Sequence, residues 1–244
     1  MSRLFVDHKA KQVHFLDERF YNVGDEQYYP SVTTILDLYP KGPAFSQWLK
    51  DVGNNAKIIA ERAAESGSKV HEACERLVNG EELEWDDNKY DLNEWQGVLR
   101  FYDFVSRFKP EWEAVEVTTI SHKYRYAGTI DLVCKFGDKT WLLDIKFGNA
   151  IYDTYFMQLA AYRQSWNETN PDHQIDEMGI LWLKANTRTE GRKGAVQGVG
   201  WQLVKPKDTY ERLFEIFKHV LDIYYFENPD PKPKNLVLLS KIKL

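Results

Sequence analysis

Hydrophobic and polar positions along this 244-residue chain follow two different rhythms. Between about residues 31 and 110 apolar residues recur every three to four positions, as along one face of a helix. Between about 111 and 147 they follow the every-second-position rhythm of strands. The first thirty residues predict a β-hairpin or two, with Val13 to Leu16 and Arg19 to Tyr21 around Asp17-Glu18. Ser31 is placed to cap a short helix over Val32 to Leu36, and another helix follows Pro43 through Leu49. Helical periodicity then runs from Asn55 to Val78, where Asn79-Gly80 stops it, with Gly67 as a possible break. A long amphipathic helix covers about Leu92 to Phe108, with Trp95, Leu99, Tyr102 and Val105 on one face and Pro110 ending it. Three strands follow, at about 112–121, 126–136 and 139–147, then a helix over 154–168 and a strand from Gly179 to Leu183. A loop marked by Gly191, Gly194, Gly198 and Gly200 leads to a strand from Val199 to Val204. Asp208 is a plausible cap for a last helix reaching about Phe226. This pattern predicts an α/β fold with a mixed central sheet flanked by helices. Without repeats, low-complexity segments or a linker, residues 1–244 read as one domain. It comprises a helical N-terminal part (about 31–110), a core (about 111–185), and a C-terminal strand and helix (about 198–226).

Chemistry concentrates in the strand pair and the helix after it. Asp131 lies in Gly128-Thr129-Ile130-Asp131, and Trp141-Leu142-Leu143-Asp144-Ile145-Lys146 ends in a carboxylate and an ammonium two residues apart. Alternation puts Asp144 and Lys146 on one sheet face and Ile145 on the other. A carboxylate in so apolar a strand requires a partner, and a metal ion or the lysine would serve. Two acids and a lysine at one sheet edge suit metal-assisted phosphodiester hydrolysis: the acids hold a divalent cation, which lowers the pKa of a water, and the lysine steadies the water or the developing charge. Gln158 and Tyr162, four apart on the predicted helix, share one face. An Asp-x-Lys at a strand end is common by itself; the combination is what singles this one out.

These residues resemble the PD-(D/E)XK nuclease superfamily, and within it the RecB-like exonucleases. Asp131 and Asp144-Ile145-Lys146 match the acids and lysine of that motif, and Gln158 and Tyr162 match the Gln-x-x-x-Tyr signature of the branch. Gly67-Ser68-Lys69-Val70-His71-Glu72 matches its upstream Gly-x-x-x-His-Glu helix, whose histidine binds metal. Pro30 to Leu36, followed by Trp48-Leu49-Lys50, is similar to the start of the mitochondrial genome maintenance exonucleases and related phage proteins. The likeness covers roughly residues 28 to 185. It implies a restriction-endonuclease-like core, with His71, Asp131, Asp144 and the Ile145 carbonyl as ligands of Mg²⁺ or Mn²⁺, Lys146 orienting the attacking water, Gln158 hydrogen-bonding the scissile phosphate or a catalytic group, and Tyr162 packed beside Gln158 or against the strand. Imidazole among the ligands tilts preference toward Mn²⁺. The preceding strand carries Glu113 and Glu116, where an acid sometimes supports a second metal in the superfamily; Glu116 is a weak candidate, and a solvent-facing strand residue is the favoured reading of it. The chain has Phe147-Gly148 where many relatives place Thr-Ser or Thr-Gly after the lysine, which leaves substrate positioning by a hydroxyl without a counterpart.

Composition narrows the picture. Hydrophobic content of 43% and aromatic content of 14% indicate a well-packed chain. Two cysteines, Cys74 and Cys134, fall short of the four thiolates that an iron–sulfur cluster of the branch requires. The absence of a secretory leader or membrane-length apolar run leads to the expectation of a soluble, intracellular, cytoplasmic protein; a viral or prokaryotic origin is compatible with the likeness to phage proteins. The net charge of −5 sits poorly with a protein that coats duplex DNA. Basic stretches at Lys184 to Lys207 (with Arg188, Arg192, Lys193 and Lys205) and from Lys232 to Lys243 are candidate DNA paths, and equally solvated loops. The expected function is a metal-dependent DNA exonuclease working from free ends, with single-stranded DNA as substrate, in recombination, repair or phage DNA metabolism, and with a recombination or replication protein as a further partner. A structure-specific or restriction-type endonuclease, and a non-catalytic DNA-end-binding subunit, are the alternatives.

Overall fold

The computed structural model describes residues 11–15, 18–24, 27–184 and 200–233. Strands β1 (Lys11–Phe15), β2 (Glu18–Gly24) and β3 (Gln27–Pro30) form a small antiparallel sheet. Helix α1 (Val32–Leu36) starts where Ser31 turns its hydroxyl back to accept from the Thr34 amide at 3.0 Å, a cap of the kind its sequence predicts. Helices α2 (Pro43–Val52) and α3 (Ala56–Val78) follow. Gly67 does not break α3: open space surrounds it, and the helix runs on at the modest cost of a glycine.

Helix α4 (Leu92–Phe108) begins with a capping box in which Asp91 and Glu94 satisfy each other's backbone amides, and ends at Lys109 in the left-handed conformation ahead of Pro110. Its buried face differs from the expected one. Gly97, Val98, Phe101 and Phe104 point inward, whereas Leu99 and Tyr102 are exposed and Trp95 and Val105 only half-buried. The helix carries two apolar stripes, and close packing decides between them: Gly97 lies against the Phe147 ring, where a Cβ would collide.

The main sheet has the order β4-β5-β6-β7-β8, built from β4 (Glu111–Ser121), β5 (Tyr126–Phe136), β6 (Lys139–Lys146), β7 (Glu177–Trp182) and β8 (Gln202–Val204). All neighbours are antiparallel except β6 and β7, which are parallel and joined by a crossover through α5 (Asp153–Thr169). The fold is thus α/β, with a mixed sheet flanked by helices. One face packs against α3 and α4 through Val70, Phe101, Leu132, Leu143 and Ile145. The other packs against α5, with α1 and α6 (Tyr210–Glu227) beyond it. Helix α5 is therefore covered on nearly every side, and Phe156 through Tyr162 are buried in an unbroken run. The side chain that caps α6 is Thr209, accepting from the Arg212 amide, one residue after the expected Asp208. Arg188, Arg192, Lys193 and the glycines at 191, 194 and 198 lie outside the described residues, as does most of the basic tail.

Candidate active site

Two irregularities in neighbouring strands create the site. Along β4, Val115 faces the α3–α4 side and Val117 the α5 side, although strict alternation would put them together. The break falls at Glu116, whose backbone is forced to φ 47°. Along β5 the same switch occurs between Ile130 and Leu132, at Asp131. Both carboxylates consequently turn toward α3. There Val70, Ala73 and Cys74 are buried, which directs His71 at the sheet. Left-handed backbone at a non-glycine residue is uncommon and costs about 1–3 kcal/mol, so it persists where the surroundings demand it.

The pairing of β5 with β6 stops at Leu132 and Leu143. Beyond that point β5 pairs with β4 alone and β6 with β7 alone, so the sheet opens between Asp131 and Asp144. Asp131 closes the gap by accepting from the Ile145 amide through Oδ2 at 2.8 Å. The same oxygen lies 2.9 Å from His71 Nε2, and His71 Nδ1 is 3.2 Å from Glu116 Oε1. His71, Glu116 and Asp131 each offer a ligand atom, all within 4.8 Å of one another. Across the gap Asp144, 1% exposed, holds the Lys146 ammonium at 2.9 Å from Oδ1 and 2.7 Å from Oδ2. Gln158 donates to Asp144 Oδ1 at 3.3 Å and to the Tyr162 hydroxyl at 3.1 Å. The Tyr162 ring rests on Gly128, where any Cβ would strike it.

Of the residues singled out in sequence, His71 and Asp131 come together on one side of the opening, and Asp144, Lys146, Gln158 and Tyr162 on the other. Ile145 packs into the α3–α4 layer, and its amide is the group that reaches Asp131. Glu116 joins His71 and Asp131 more closely than the sequence suggested. No spacing in the sequence marks it: Ala114 and Val115 take opposite faces as alternation requires, and the break comes at Glu116 itself. Tyr155, whose ring lies 4.8 Å from Lys146 Nζ, was missed as a neighbour of the lysine; it stands one helical turn before Gln158.

The charges are strongly coupled. Burial works to lower the His71 pKa, but the hydrogen bond and charge of Asp131, with Glu116 and Asp144 behind it, raise it to about 9. Burial and the charge of Asp131 push Glu116 up to about 7 despite His71. Burial lifts Asp144 to about 6 against the pull of Lys146. Asp131 is drawn below the usual range: burial opposes this, and His71, Lys146 and the Ile145 amide prevail. At neutral pH a protonated imidazole therefore sits between two carboxyl groups, where a cation would sit. Glu116 Oε1 and Asp144 Oδ2 are buried, and each lies against a cationic side chain, His71 Nδ1 at 3.2 Å and Lys146 Nζ at 2.7 Å. Buried carboxylate oxygens beside an imidazole are the donor set of a hard divalent cation, and the residues fit one.

No known protein family matches the chain, and no curated protein does. Solved structures resemble the fold distantly. LHK-Exo in complex with dAMP is 10% identical, with 81% of this chain and 86% of that chain covered, at a TM-score of 0.41. A protein from Eubacterium rectale, named provisionally as an exonuclease, is 13% identical over 73% and 72% of the two chains at 0.37. SSO0001 is 10% identical over 62% and 70% at 0.30.

Proposed function

We propose that this chain is a divalent-metal-dependent deoxyribonuclease of the RecB-like kind, an exonuclease that hydrolyses DNA from free ends and prefers a single strand, in recombination, repair or phage DNA metabolism. The observation that carries the reading is the opening of the sheet between β5 and β6, with His71, Glu116 and Asp131 on one lip and Asp144 and Lys146 on the other. His71, Asp131 and Asp144, with the Ile145 carbonyl and Glu116, would hold Mg²⁺ or Mn²⁺. A divalent ion bound there would supply Lewis acidity, lowering the pKa of a water and offsetting charge on a phosphoryl oxygen.

The chain's own groups do the rest. Lys146 stays protonated, since Asp144 and Asp131 more than offset the burial that would lower its pKa, and it can donate to the water or to the charge developing on phosphorus-bound oxygen. Gln158 fixes the Asp144 carboxylate, and Tyr162 fixes Gln158. The exposed ring of Tyr152 at the start of α5 offers an unpaired base a surface to stack on, which supports single-strand preference. A chain of net charge −5 has little with which to grip long duplex from outside.

The test is digestion of end-labelled linear DNA and closed circles, single- and double-stranded, with Mn²⁺, with Mg²⁺ and with chelator. Linear single strands should be degraded in metal and all substrates spared in chelator. Circles cut as fast as linear strands would favour an endonuclease, and activity in chelator would remove the metal from the reaction.

A further inference from the structure

The Lys146 ammonium has two kinds of neighbour: both oxygens of Asp144, and the face of the Tyr155 ring at 4.8 Å. In the proposed function Asp144 gives its charge to a divalent cation. A carboxylate shared by two cations holds the weaker one poorly, and a lysine stem has rotamers that carry its ammonium away into water. The second carboxylate that acts on Lys146, Asp131, is itself a metal ligand in the same reading, so the cation would draw on it as well. An aromatic face is not drawn on in this way, because its quadrupole attracts a cation while the ring carries no net charge.

Tyr155 is built into position for that task. It stands three residues before Gln158 and seven before Tyr162, so the three side chains form one stripe of α5 along the end of β6. The ring is partly buried, which strengthens a cation–π contact by removing water from it. Tyr152 braces it edge-on, with centroids 5.5 Å apart and planes at 81°.

We infer that Tyr155 is a positioning residue for Lys146: its ring holds the ammonium beside the reacting phosphate when Asp144 is engaged by a metal ion. This rests on the nuclease reading of the site. Its own claim, that the ring keeps the lysine in place, can be measured separately.

The experiment compares Tyr155→Phe, which keeps the ring, with Tyr155→Leu, which keeps apolar bulk and loses the ring face. On linear single-stranded DNA, Leu should lower kcat about tenfold with KM and the Mn²⁺ titration midpoint unchanged, while Phe retains most of kcat. Independently, NMR of the lysine side chains should show Lys146 signals displaced upfield by the ring current, identified by their loss in Lys146→Ala. The displacement should persist in Mg²⁺ and in Tyr155→Phe, and vanish in Tyr155→Leu. Equal kcat for the Leu and Phe variants, or a Lys146 signal that loses its displacement when Mg²⁺ binds the wild-type protein, would overturn the inference. A wild-type protein without phosphodiesterase activity would instead overturn the nuclease reading, and the NMR comparison would still decide whether the ring holds the ammonium.

Discussion

His71 and Glu116 bind protons more tightly in the folded chain than in the unfolded one, His71 at about 9 against 6.5 and Glu116 at about 7 against 4.5. For each, the stabilisation is complete below the unfolded value and is lost as pH rises through the folded one. Metal-free stability attributable to this pair should therefore fall between about pH 4.5 and 9, and thermal unfolding in chelator across that range will show it. A melting temperature that climbs from pH 6 to 9 would contradict the charge arrangement. In the proposed function a divalent cation would take the place of these protons, so its affinity should rise over the same interval with proton release, read by calorimetry in two buffers of different ionisation enthalpy. Glu116→Gly should raise metal-free stability by about 1 kcal/mol, because glycine accepts φ 47° freely and one of the crowded carboxylates is gone. The same change should weaken Mn²⁺ binding, and both effects can be followed by denaturation with and without metal. His71→Ala should shift the metal titration to higher concentration while the fold persists, with excess Mn²⁺ restoring part of the activity by mass action. Asp144→Asn should leave a folded protein whose turnover falls about a hundredfold or more.

Secondary structure was largely legible because strand and helix rhythms are strong where one face is wet. The three strands of the core, the Ser31 cap and the bounds of α4 follow from pattern and capping chemistry. Which stripe of α4 is buried does not, since Leu99 and Tyr102 offer large side chains at helical spacing just as Val98 and Phe101 do. The choice depends on Gly97, whose missing side chain admits Phe147. For the site, spacing brought out Asp131, Asp144, Lys146, Gln158 and Tyr162, whereas Glu116 enters through a break in alternation that a periodic reading treats as noise. Tyr155 depends on the direction in which Lys146 leans, which no spacing encodes. The contact of α5 with β5 offers a check at this scale. Gly128→Ala should cost about 1–3 kcal/mol, because its Cβ meets the Tyr162 ring on a helix with no room to retreat. Chemical denaturation measures it, and a neutral substitution would mean that α5 can shift away from the sheet.

For the molecule as a whole, we propose that the helical N-terminal part and the sheet form one domain. His71 comes from α3 and its carboxylate partners from β4 and β5, so neither part completes the site alone. Unfolding should then be a single cooperative transition, coincident by circular dichroism and fluorescence, with a midpoint that rises on adding Mn²⁺. Two separate transitions would divide the chain. No helix among the described residues is long and apolar enough to cross a membrane. The opening between β5 and β6 has one more consequence. Asp131 replaces a backbone acceptor for the Ile145 amide, so a single N–H is tied to the carboxylate that a cation would draw on. Its chemical shift and its exchange with deuterated solvent form an intrinsic gauge of occupancy, able to register loading of the site in a protein that is not turning over, with no substrate present and no label attached.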